Sequence, residues 1–283
     1  MRKLSLSDFR AVRQVLTGDD FAVSEGPDCD ELRSAMVDPA VWHSIQELPD
    51  TVSIATSGLH GPELALENEL HGEWITRIGY DEHDNLMSDV VKDVAFDIET
   101  EWSAATFSAV HGYYRQAIGT LRNALEACVV AARYQSDSEN PFYQDWLKGL
   151  KTIKFSDACA QVADGAAKIV NSHLRGKGLR AFIDRPKRGS SWVYDLYERL
   201  CNPAHSRPGY THAAYWSGSN GPIFEKASFL QFHDHFLETM AATWALCKLV
   251  RPSLSIPTAL LTDAKTGRWG MEAKIVFNLL NHA

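Results

Sequence analysis

The sequence predicts a mainly α-helical protein: a four-helix bundle over residues 101–252, preceded by an acidic region at 1–100 and followed by an extension at 253–283. Three observations carry this expectation. Between Trp102 and Tyr134 there is no proline, and apolar side chains recur in steps of three and four, which gathers them on one helical face. Later stretches repeat that spacing and end at glycine or proline. The charge also changes sign along the chain. Residues 1–100 hold 7 Lys and Arg against 21 Asp and Glu, whereas residues 101–283 hold 21 against 15.

The first bundle helix is expected as one long element from Trp102 to Tyr134, with Phe107, Val110, Tyr114, Ile118, Leu121, Leu125, Cys128 and Ala132 along its apolar face. A second, alanine-rich helix spans Asp157 to Leu174, with Val162, Ile169 and Val170 inward, and Gly176-Lys177-Gly178 ends it. Ser190 or Ser191 caps a third helix running through Cys201, with Trp192, Leu196 and Leu200 at four-residue spacing. Pro203 and Pro208 interrupt it, and a loop follows. The fourth helix runs from Ser228 to Leu249 and closes at Pro252 and Pro257. Four antiparallel helices so connected make a bundle.

Residues 1–100 read less uniformly. Ser5 to Leu16 fits a helix capped by Ser5 or Ser7. Asp28 to Ile45 has helical spacing broken at Pro39. Thr51 to Thr56 alternates like a strand, and Glu73 to Tyr80 fits either element. Turn signals punctuate the region at Gly26-Pro27, Pro49-Asp50 and Gly61-Pro62. Its fold stays open between α and α+β.

Composition sets further bounds. Apolar residues make up 45% and charged residues 23% of the chain, the globular range. No run reaches the ~18 apolar residues of a membrane span. The basic residues at the start have no apolar stretch behind them, so no secretory signal is expected. Five scattered cysteines, never in a C-x-x-C pair, fit reduced thiols in a cytoplasmic protein. The sharpest basic stretch, 148–188, carries 10 Lys and Arg against 3 Asp. An acidic part and a basic part on one chain fit a polyanion-binding surface masked in cis. Ordinary solvated faces would have the same composition.

Two constellations suit phosphate chemistry. Arg199 and His205 form an R-x5-H at the end of the third helix. A guanidinium binds phosphate oxygens in a fork, and an imidazole exchanges protons near neutral pH. Together they could cleave RNA without a metal, with the 2′-hydroxyl as nucleophile. The alternative is a surface pair between Arg199 and Asp195, one helical turn apart. In the run Tyr114 to Glu126, Arg115, Arg122 and Glu126 lie along a stripe beside the apolar face, with His111 one turn before Arg115. Arg122 and Glu126 also fit a simple i,i+4 surface pair.

The pattern Y-R-x-A-x-x-x-L-R-x-A-L-E, followed later by a helix ending Leu196-Tyr197-Glu198-Arg199-Leu200-Cys201-Asn202-Pro203-Ala204-His205-Ser206, resembles HEPN-type domains over about residues 105–250. The resemblance implies a four-helix bundle, usually dimeric, carrying an R-x4–6-H motif. Many members are metal-independent ribonucleases of toxin–antitoxin or phage-defence systems, and others only bind nucleotides or nucleic acid. By position, Arg199 and His205 match the motif. The residue after the arginine is often polar in active members, whereas here it is Leu200 and the nearest polar substitute is Asn202.

The loop after the motif interleaves Arg207, Tyr210, His212, Tyr215 and Trp216, a mixture that can stack bases and hold phosphates or pack on the bundle. Lys177, Arg180, Lys187 and Arg188 would extend that surface. Metal ligation is disfavoured. Cys201, His205 and His212 lack zinc spacing, and the rings of His233 and His235 point about 200° apart on a helix. No nucleotide-binding glycine motif or nucleophile motif occurs. The expectation is a dimeric, cofactor-free endoribonuclease acting on RNA through Arg199 and His205, supported by Asn202, Arg115, Arg122 and Glu126. An antitoxin or sensor is its expected partner, and a membrane is not. The alternative is a non-catalytic binding module of the same fold.

Overall fold

The computed structural model describes residues 39–79, 90–185, 187, 189–204 and 222–281. The described residues are predominantly helical and contain no strand; an isolated bridge joins Ala181 and Ser191. The expected helix at Ser5–Leu16 lies outside the described residues.

The chain divides into two compact units, Met1–Thr51 and Val52–Ala283. Along the chain, α1 (Pro39–Trp42) passes through a π-helical turn, His43–Glu47, into α2 (Leu48–Leu59), and the division between the units falls within α2. Of the expected helical run Asp28–Ile45, the part from Pro39 on is helical, and residues 28–38 lie outside the described residues. Pro49 offers no N–H to the carbonyl four residues earlier, and the widened turn just before it accommodates that loss.

The strand expected at Thr51–Thr56 is a correction: these residues lie inside α2. Val52, Thr56 and His60 are buried while Ile54 is exposed, so the apolar alternation masked a four-residue repeat. In the second unit, α3 (Gly61–Trp74) starts with Pro62 in its first turn and continues into a second π-helical turn, Ile75–Gly79. The ambiguous run Glu73–Tyr80 is therefore helical as far as it is described, and it buries Trp74 and Ile78.

After the short α4 (Val90–Asp93), the long helix expected from Trp102 to Tyr134 proves to be two: α5 (Ala95–Val110) and α6 (Tyr114–Tyr134). Gly112 breaks them with φ +83°. A Cβ there would meet the Ile223 carbonyl oxygen at 2.8 Å, so the site demands glycine in both conformation and space. Phe107, expected inward, is exposed.

α6 is the central element and packs against α5, α8, α10 and α11. Residues from Ala117 to Ala131 bury apolar side chains around most of its circumference. α7 (Pro141–Leu147) is capped by Asn140, whose Oδ1 accepts from Phe142 N. The second expected helix also divides, into α8 (Phe155–Asp164) and α9 (Lys168–Gly176), around Gly165. Val162 and Val170 are buried as expected, but Ile169 points outward, 82% exposed. α10 (Trp192–Ala204) and α11 (Lys226–Val250) correspond to the third and fourth expected helices, except that α10 continues through Pro203, which was expected to interrupt it.

The extension forms α12 (Thr258–Thr266) and α13 (Gly270–Asn281), which bury Leu260, Ala273, Val276 and Phe277 in the same core. The core does not stop at residue 100 either. Trp74 of α3 meets Trp102 at 4.7 Å and Trp244 at 5.6 Å, both edge-on, and donates to the Ala95 carbonyl. The change of charge near residue 100 thus falls inside one packed unit.

Candidate functional site

α10 carries the arginine of the motif. Ser191 caps it, its Oγ accepting from Tyr194 N at 3.3 Å. A buried asparagine shapes the approach: Asn171 Oδ1 accepts from Phe182 N, and its Nδ2 donates to the Ile183 carbonyl. Trp192, Val193, Leu196 and Leu200 form the inward face of α10, all essentially buried. Leu200, the apolar residue after the motif arginine, is therefore a core residue.

Arg199 lies outside that face with its side chain 47% exposed. Its guanidinium donates to Glu238 Oε1 at 2.5 Å, and Trp192 Nε1 donates to the same oxygen at 2.8 Å. Glu238 is nearly buried, so α11 holds the arginine by a carboxylate that is itself fixed. The pairing of Arg199 with Asp195 that its spacing allowed is not the one formed. Asp195 instead accepts from Arg180 at 2.5 Å and from Gly189 N at 2.9 Å. One turn before Glu238 stands His235, half-buried. Burial, helped by the charge of Arg199, pushes its pKa down to about 4, so it is a neutral imidazole at pH 7.

Of the supporting residues, Arg115 reaches the motif: its Nε donates to the Pro203 carbonyl at 2.7 Å, in the last turn of α10. Asn202 is half-buried in the same turn. Arg122 and Glu126 do not converge on Arg199. At about 100° per residue, Arg199 lies roughly 160° around α10 from both Tyr197 and Cys201. It is this far flank that Arg122 meets, donating to Tyr197 Oη at 3.1 Å and to Glu126 at 3.1 Å, with its guanidinium 5.2 Å from the Tyr197 ring centre. Phe155 stacks on Tyr197 at 3.7 Å. Burial pushes the Tyr197 hydroxyl up to about 12 and raises the Cys201 thiol. This cluster ties α6, α8 and α10 together.

His205, Arg207, Tyr210, His212, Tyr215, Trp216 and Arg188 lie outside the described residues. Within the basic stretch, arginines and lysines behave differently. Arg180, an expected nucleic-acid contact, pairs with Asp195 and Glu272 and so joins α10 to α13, with 39% of its side chain exposed. Arg175 pairs with Asp184, and Arg185 lies 3.8 Å from Asp164. Lys177 and Lys187 are exposed and make no ion pair with a described residue, as do Lys148, Lys151, Lys154 and Lys168.

His233 and His235 diverge as the helix geometry requires. His235 faces the Arg199 flank, while His233 turns into the core and meets Glu67 at 2.8 Å. Glu238 and His235 were not legible as parts of the site, because they sit on a helix 36 to 39 residues beyond Arg199 with no local motif. No protein-family model, no curated protein and no solved structure matches the chain.

Proposed function

We propose that the protein is a HEPN-like, metal-independent endoribonuclease, of the kind that serves in toxin or phage-defence systems. The observation that supports it is at the end of α10. A half-exposed Arg199 is held there by Glu238, and Arg115 grips the carbonyl of Pro203, two residues before the motif histidine. In this reading Arg199 binds the scissile phosphate and stabilises charge at phosphorus. His205 takes the proton from the attacking 2′-hydroxyl; the P–O5′ bond breaks, and the products are a 2′,3′-cyclic phosphate and a 5′-hydroxyl protonated from solvent. The exposed Lys177 and Lys187 gather RNA electrostatically, and a homodimer brings two motifs to one cleft.

A second reading is a non-catalytic binding module of the same fold. The pairing of Arg199 with Glu238 favours it, since the carboxylate already neutralises the guanidinium. Induced expression separates the two. Toxicity with fragmented RNA for the wild type, and healthy growth for His205→Ala, supports the nuclease. Equal growth with intact RNA supports the binding module.

A further inference from the structure

Three large apolar side chains are exposed on one short element and the turn after it, a stretch that also carries three lysines. Phe142 and Leu147 lie on α7 and Leu150 follows it, with 42%, 37% and 69% of their surface in water. The element is held from beneath. Tyr143 is fully buried and stacks with Tyr134 at 4.9 Å and with Trp146 at 5.7 Å, which fixes the roll of α7. Its end is closed by Gly149 at φ +71°, with Gly149 N donating to the Trp146 carbonyl and Leu150 N to the Asp145 carbonyl. In such closures the residue after the glycine usually folds back onto the helix. Leu150 instead projects outward. The chain beyond it is pinned again by Ile153, which is 3% exposed.

Lys148, Lys151 and Lys154 lie close to these residues along the chain, all exposed and none in an ion pair with a described residue. Lys151 Nζ lies 6.0 Å from the Phe142 ring centre. From Pro141 to Phe155 the only carboxylate is Asp145.

We propose that this turn is a docking surface for an anionic membrane. Phe142, Leu147 and Leu150 enter the boundary between headgroups and acyl chains, and the three lysines meet the lipid phosphates. Two arguments favour a bilayer over a nucleic acid. Leucine has no π-face on which a base could stack, and an exposed aliphatic side chain gains only by leaving water. Lysines on four-carbon stems can keep their ammonium groups in the headgroup layer while the apolar residues go deeper. No helix among the described residues is long and apolar enough to cross a membrane, so the association is peripheral. The surface potential that drives it is screened within about 10 Å.

The test is sedimentation of the full-length protein with phosphatidylcholine vesicles and with equal mixtures of phosphatidylcholine and phosphatidylserine. Wild type sediments with the mixed vesicles alone, and added salt releases it. Leu147→Asp with Leu150→Asp lowers binding at least about tenfold while the helical circular dichroism stays unchanged, because both side chains are exposed. The triple change of Lys148, Lys151 and Lys154 to Glu abolishes binding. The proposal is overturned if wild type ignores mixed vesicles, or if the leucine variant binds them like wild type. It is also overturned if the leucine variant loses binding to single-stranded poly-uridine but keeps binding to vesicles.

Discussion

Replacing His233 by leucine should destabilise the protein far more than its volume suggests. Glu67 is completely buried, and its two oxygens have two partners: Thr106 Oγ donates to Oε2 at 2.8 Å, and His233 Nδ1 lies 2.8 Å from Oε1. His233 is itself 5% exposed. The three residues come from α3, α5 and α11, so this small network joins three helices. Leucine fills the space of the imidazole but leaves Oε1 stranded in an apolar core. Losing one partner of a buried pair costs about 3–5 kcal/mol, a large share of the roughly 5–15 kcal/mol that keeps a domain folded. Replacing both residues with leucine removes the stranded carboxylate and leaves only the Thr106 hydroxyl to satisfy. The double variant should therefore recover about 2 kcal/mol or more relative to the sum of the single changes. Urea unfolding of the four proteins at pH 7, followed by circular dichroism, reads all these quantities. A His233→Leu cost below about 1 kcal/mol, or strictly additive single changes, would show that Glu67 does not depend on His233 for its burial.

Two further outcomes follow from the same geometry. His235 is held at about 4 in the fold against about 6.5 in an unfolded chain, so between these values the unfolded state binds more protons. Stability from this group is fully present above pH 6.5 and is lost as the pH falls towards 4, by at most about 3 kcal/mol. His235→Gln should flatten that part of the stability profile in urea unfolding at pH 7 and pH 4.5, and an unchanged difference between the two pH values would contradict it. Gly112→Ala forces a side chain into positive φ and against the Ile223 carbonyl, so it should lower stability by at least about 1–2 kcal/mol. A thermal midpoint equal to wild type would show that the α5–α6 turn adopts another conformation.

The helical character was legible because the apolar spacing of α6, α10 and α11 follows the helix period closely. The breaks at Gly112 and Gly165 were not, since apolar residues keep helical spacing on both sides of each glycine. Thr51–Thr56 misled for a related reason. In six residues a strand alternation and a four-residue helical repeat share positions, and only His60 beyond them decides. At the site, Arg199 and Arg115 were readable from local patterns. Their partners were not, because tertiary packing chooses them. Asp195 stands one turn from Arg199 yet is taken by Arg180, and Arg199 turns to Glu238 on another helix. The same competition gives Arg180 a second partner that no local pattern shows, a glutamate 92 residues away.

The proposed cleavage of RNA by Arg199 and His205 requires no metal. The most direct measurement incubates purified wild-type, Arg199→Ala and His205→Ala proteins with RNA in the presence of EDTA and analyses the product ends. Wild type should give 2′,3′-cyclic phosphate ends, and either variant should lose about a hundredfold or more in rate. Cleavage by both variants at the wild-type rate, or cleavage by the wild type that EDTA abolishes, would contradict it.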